Sequence, residues 1–173
     1  MKKIILFLFI ISYFNSYCQK NNSNIFIELG GNAITYSVNY EKIIKQIKNH
    51  NLAIRIGGSY FKKKGQNNII GIPIGVNLIT NNNKNHHLDL GAGVSYSKGF
   101  IQSGTVNNNE WDSYEELFFI PSIGYRYDKL KKGINFRIAY TPLISIKILD
   151  DIDRVISENF KYSHFGIMVG YRF

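Results

Sequence analysis

A chain of 173 residues with a formal net charge of +9 and a single cysteine is the length of one domain, with no cysteine framework to staple a small fold or build a thiolate metal centre. Nowhere does it reach the roughly eighteen uninterrupted apolar residues of a membrane-crossing helix, which argues against a helical membrane protein. The lysines gather in turn-like clusters such as Lys62-Lys63-Lys64 and Lys131-Lys132, where they meet anionic lipid head groups or water.

In chain order, Met1-Lys2-Lys3, an apolar run from Ile4 to Ile11, and Ser16-Tyr17-Cys18 before Gln19 follow the charged, apolar, small-residue order of a secretory signal. The reading is a signal peptide over residues 1–18 and a single domain over residues 19–173. A lipidated Cys18 opening the mature chain is the alternative, and the bulky Tyr17 speaks against it. Export also demotes nucleic acid as a partner of the lysine clusters.

Beyond the signal, apolar residues alternate with small or polar ones in segments of about ten residues, the period-two pattern of strands with two unlike faces. Ile25, Ile27 and Leu29 oppose Phe26, Glu28 and Gly30, and Ile34, Tyr36, Val38 and Tyr40 oppose Thr35, Ser37, Asn39 and Glu41. Leu52, Ile54, Ile56 and Tyr60 oppose Ala53, Arg55, Gly57 and Ser59, and the isoleucine row from Ile70 to Ile74, continued by Val76 and Leu78, opposes Gly71, Pro73, Gly75 and Asn77. Leu88, Leu90, Ala92, Val94 and Tyr96 oppose His87, Asp89, glycines and serines, while Phe119, Pro121, Ile123, Tyr125 and Tyr127 oppose Phe118, Ile120, Ser122, Gly124 and Arg126. Ile134, Phe136, Ile138 and Tyr140 oppose Asn135, Arg137, Ala139 and Thr141. In the last segment Phe165, Ile167, Val169, Tyr171 and Phe173 oppose His164, Gly166, Met168, Gly170 and Arg172.

Gly30-Gly31-Asn32 predicts a tight hairpin, because glycine and asparagine tolerate positive φ. Residues 81 to 85 and 128 to 133 read as short connections, and residues 98 to 116 and 145 to 163 as long loops. The fold class is all-β, an eight-stranded antiparallel barrel built as an up-and-down meander.

Periodicity alone leaves open a soluble barrel, apolar inside, and a transmembrane one, apolar outside. Glycines and serines among the arginines suit a narrow lumen filled by side chains. Tyr40, Tyr60, Tyr96, Tyr125, Tyr127, Tyr140, Tyr171 and Phe173 gather near the segment ends, as in the aromatic girdles of a transmembrane barrel. A tilted membrane strand of about 9 to 11 residues also matches the segments. Strands entering from the periplasm put both long loops outside.

The "FIELGG" opening, the segment "LDLGAGVSY" and the ending "GIMVGYRF" make the chain resemble the small bacterial outer-membrane β-barrel proteins, OmpA/OmpX-like and of the Bacteroidota type. The resemblance implies a bacterial outer-membrane location, and a final strand, marked by Tyr171 and Phe173, that the barrel-insertion machinery reads. Met168 stands where that family often carries glycine.

Charge away from water needs partners, so Arg55, Arg126, Arg137 and Arg172 are expected to pair with Glu28, Glu41 and Asp89 inside the barrel. A gated ion path lined by the same residues is the alternative. In the loop over residues 98 to 116, Trp111 and Asp112 are the candidate contact for an extracellular ligand. Ile148, Leu149, Ile152, Val155 and Ile156 have the spacing of a short surface helix, and the neighbouring Asp150, Asp151 and Asp153 lack the glycine and terminal glutamate of the common calcium hand. His50, His86, His87 and His164 come with no nucleophile motif or metal-ligand spacing beyond the adjacency of Ser163 and His164. The expectation is therefore no catalytic residue, no metal and no cofactor, with outer-membrane lipid as the surroundings. Function is read as structural or surface-interacting through the outer loops, around a polar and largely plugged lumen, with a narrow transport pore or lipid-acting enzyme as the alternative.

Overall fold

The computed structural model describes residues 22–33, 36–63, 66–80, 85–103, 110–129, 132–146 and 162–173. The expected signal peptide lies outside the described residues. The strands are β1 (Ser23–Leu29), β2 (Tyr36–Ile47), β3 (His50–Lys63), β4 (Gln66–Thr80), β5 (His86–Ser103), β6 (Glu110–Tyr127), β7 (Gly133–Ile146) and β8 (Tyr162–Arg172), with a 3-10 turn at Gly31–Ala33.

Each strand pairs antiparallel with the next, and β8 returns to β1, so the sheet is a closed eight-stranded barrel. Closure leaves no unpaired edge, the condition under which strands tolerate an apolar surrounding. The seam is continued by Phe173, whose N–H donates to the Ser23 carbonyl at 2.9 Å. At the first turn Gly30 and Gly31 adopt φ of +71° and +67°, a backbone that side chains with a Cβ rarely accept.

The two faces are inverted relative to a soluble protein. Ile27, Val38, Ile56, Ile123, Ile134 and Phe165 are exposed on the outer wall, whereas Glu28, Glu41, Asp89, Arg126, Arg137 and Arg172 are each at most 1% exposed within it. A continuous apolar exterior of this extent needs an apolar surrounding, and the choice left open by periodicity falls on the barrel with its apolar face outward. The lumen also contains apolar layers. Ile43, Ala53 and Ile79 cluster inside the barrel near the turn that follows β2, while Phe118, Ile120 and Leu143 cluster on the inner wall of β6 and β7.

The strands outrun the segments read from the sequence. β5 and β6 are 18 residues each, so the expected loop over residues 98 to 116 is a ladder as far as Ser103 and again from Glu110, with Lys98 opposite Glu115. Above an apolar band a hairpin is wet on both faces, so alternation fades while the backbone ladder continues. The second expected loop is likewise shortened, because β7 runs to Ile146 and β8 starts at Tyr162. The expected helix over residues 148 to 156, and the aspartates beside it, lie outside the described residues.

Candidate functional site

Period-two alternation aims every second side chain of each strand into the bore, and the register then decides which charges meet. Arg126 lies directly across from Arg137 on β7 and from His87 on β5. Two arginines side by side repel unless an anion stands between them. Asp89 supplies it, with its carboxylate 2.6 Å from Arg126 Nη2 and 3.0 Å from Arg137 Nη2.

Arg126 also grips Glu41 from the opposite wall. Its Nη1 and Nη2 donate to Oε1 and Oε2 at 2.6 and 2.8 Å, the bidentate fork that makes arginine–carboxylate pairs strong and directional. Arg137 Nη2 donates further to Ser122 Oγ at 3.0 Å. Arg172, on the closing strand, donates to both Asp128 oxygens, at 2.5 to 3.1 Å, and approaches Glu41 at 3.7 Å. The result is a continuous ionic layer linking β2, β5, β6, β7 and β8 across the bore.

Arg55 and Glu28 are the loose end of that layer. They approach only to 3.9 Å, although Arg55 faces Glu41 directly across β2 and β3. Glu28 instead accepts a hydrogen bond from Asn32 Nδ2 at 2.8 Å through Oε1, which ties the first turn to the inner wall. Arg55 Nε and Nη1 have no hydrogen-bond partner among the described residues.

Two participants were not singled out as partners in the sequence. Asp128 falls in a segment read as a connection, yet it continues the inward phase of Arg126 by one more step and is 1% exposed; extending the alternation through Tyr127 would have found it. His87, on the inner face, sits with its ring nitrogens against the Thr80 carbonyl and, at 2.7 Å, the Asp128 carbonyl. It thereby fastens the end of β4 to the end of β6.

At the other end of the molecule, Trp111 and Asp112 belong to the strand β6, opposite Gln102 and Ile101. Further down the same hairpin, Lys98 Nζ donates to Glu115 Oε1 at 2.6 Å. Ser163 and His164 belong to β8, opposite Pro142 and Thr141, and the barrel brings no second histidine beside them among those pairs. Tyr171 pairs with Ile25 and Ile134, and so lies in the closing seam. No group of three or more metal-ligating side chains occurs among the described residues.

A closed eight-stranded meander, apolar outside and polar inside, is the architecture of the small OmpA/OmpX-type barrels. No protein-family model matches the chain, and no curated protein matches it significantly. Among solved structures, the N-terminal β-barrel domain of Pseudomonas aeruginosa OprF is similar over 89% of this chain and 98% of its own, at 11% identity and a TM-score of 0.49. Yersinia pestis Ail, the attachment invasion locus protein, is similar over 88% of this chain and 94% of its own, at 12% identity and a TM-score of 0.49. The fold itself stands on the closed hydrogen-bonded ring.

Proposed function

We propose that the chain is a bacterial outer-membrane barrel whose bore is plugged by its own ionic layer, and that it acts structurally or by surface interaction rather than by catalysis. The observation that carries this reading is the burial of Arg126, Arg137 and Arg172 with Glu41, Asp89 and Asp128 inside a wall whose outer residues are apolar. Such a molecule satisfies its charges internally and its exterior in lipid.

The surface-interaction part rests on the hairpin of β5 and β6. Strands of 18 residues exceed the about 9 to 11 that a tilted membrane strand needs, so the hairpin projects well past the bilayer. Trp111 and Asp112 lie in the projecting part and are the proposed contact for an extracellular ligand. On the same reading, the strand carrying Tyr171 and Phe173 is what the barrel-insertion machinery engages.

Cell fractionation followed by gel electrophoresis with and without boiling tests the proposal. The expected result is a heat-sensitive mobility shift of protein found in the outer-membrane fraction. A soluble periplasmic protein with no such shift would overturn it.

A further inference from the structure

The outer wall is not smooth. A groove of about 600 Å³ runs across the outer faces of β2 to β6, a volume within the roughly 300 to 1,000 Å³ of small-molecule sites. Its floor is low because β5 places Ala92 between Leu90 and Val94 on the outward face. Beside it Gly75 and Gly93 face each other across β4 and β5. One end of the groove is formed by Val94 and Phe119, the other by Tyr40 and Lys42.

That second end lies at the turn side of the barrel. Lys42 stands opposite Ser23, the first residue of β1, and the Tyr40 hydroxyl is held against Ser23 Oγ at 2.9 Å. A second cation arrives through a backbone irregularity. Ile43 faces the lumen, so regular alternation would turn Lys45 inward as well. The register shift between Ile43 and Lys45 instead sets Lys45 opposite Leu52, in the same outward row as Lys42 and its partner Ile54. Re-aiming a side chain is what a β-bulge does. Lys42 and Lys45 are both exposed, and no ion pair among the described residues engages either.

We propose that this groove binds an anionic phospholipid of the periplasmic leaflet, with an acyl chain lying over Ala92 and the phosphate between Lys42 and Lys45. The proposal rests on the membrane reading above. An apolar trough offers dispersion contacts to a chain, and basic side chains at a membrane surface attract anionic head groups.

The test is electron paramagnetic resonance of the refolded barrel in phosphatidylcholine bilayers that carry either spin-labelled phosphatidylglycerol or spin-labelled phosphatidylcholine. The heat-sensitive gel shift is read on the same samples, so a failure to form a membrane barrel is seen separately. Motionally restricted phosphatidylglycerol is expected in preference to phosphatidylcholine, by about fivefold per lysine. Lys42→Gln with Lys45→Gln removes the preference, and Ala92→Phe, which points outward and leaves the lumen untouched, releases both lipids. Equal retention of the two lipids by the folded barrel overturns the proposal, as does a preference that survives loss of both lysines. So does a dimer that Ala92→Phe abolishes, which would give the groove to a second copy.

Discussion

Arg126 touches Glu41 through both terminal nitrogens and Asp89 through one of them, at 2.6 to 2.8 Å. Its removal leaves two carboxylates buried together without their shared cation, and breaking a buried pair this way costs about 3 to 5 kcal/mol. Arg126→Met is therefore expected to lower the urea midpoint of the refolded barrel by a corresponding amount, and adding Glu41→Gln to recover part of the loss, since neighbouring sites couple. A midpoint unchanged by Arg126→Met would show that the ionic layer contributes nothing to stability. At this scale the sequence displays the charged residues, because alternation separates Arg126 from Tyr125 and Tyr127 without ambiguity. It does not display the pairing, since Arg55 faces Glu41 across two strands but has its ion pair, a long one, with Glu28. Which guanidinium reaches which carboxylate depends on the shear of the barrel, and that quantity is not written in any one segment.

Among the elements, the hairpin of β5 and β6 departs most from its sequence reading. Its lower part follows the alternation from Leu88 to Tyr96, and there strand and face are legible. Beyond Tyr96 the outward residue is Lys98, and polar composition reads as loop although the ladder runs on to Ser103. Lys98 and Glu115 clasp the two strands in this outer part, outside the apolar band. The hydrogen bond from Lys98, reinforced by Tyr96, holds the Glu115 carboxyl below its ordinary 4.5, and the same bond pushes the Lys98 ammonium above its ordinary 10.5. A depressed carboxyl contributes stability above its unfolded value and loses it as pH falls through the folded one; a raised ammonium contributes below its unfolded value and loses it as pH rises through the folded one. The clasp should therefore be indifferent to pH around neutrality and weaken only in acid below 4.5 or in alkali above 10.5. Carbon-detected NMR titration of Glu115 checks this, with Lys98→Gln expected to move the carboxyl back up; a titration unmoved by Lys98→Gln would remove the clasp.

For the molecule as a whole, the meander topology was the most legible feature, because eight alternating segments separated by turns admit few other antiparallel arrangements. Face direction followed from where glycine and tyrosine fall. The apolar inner layers at Ile43, Ala53 and Ile79 and at Phe118, Ile120 and Leu143 were not anticipated as plugs, since a buried isoleucine reads the same on either face of an isolated strand. Together with the ionic layer they make up the proposed plug. In planar bilayers the inserted barrel is expected to give no steady conductance at neutral pH, and a steady open channel abolished by Arg137→Ala would replace the plug with a conducting path.

The closed ring also fixes the outline that the protein presents above the bilayer. In the strand order β1 to β8, the hairpin turning at Gly30 and Gly31 stands half a circumference from the one formed by β5 and β6. The short first hairpin and the tall hairpin of β5 and β6 are therefore on opposite sides of the ring. The barrel thus has a front and a back in the plane of the membrane, and rotating it relative to its neighbours changes what it can touch.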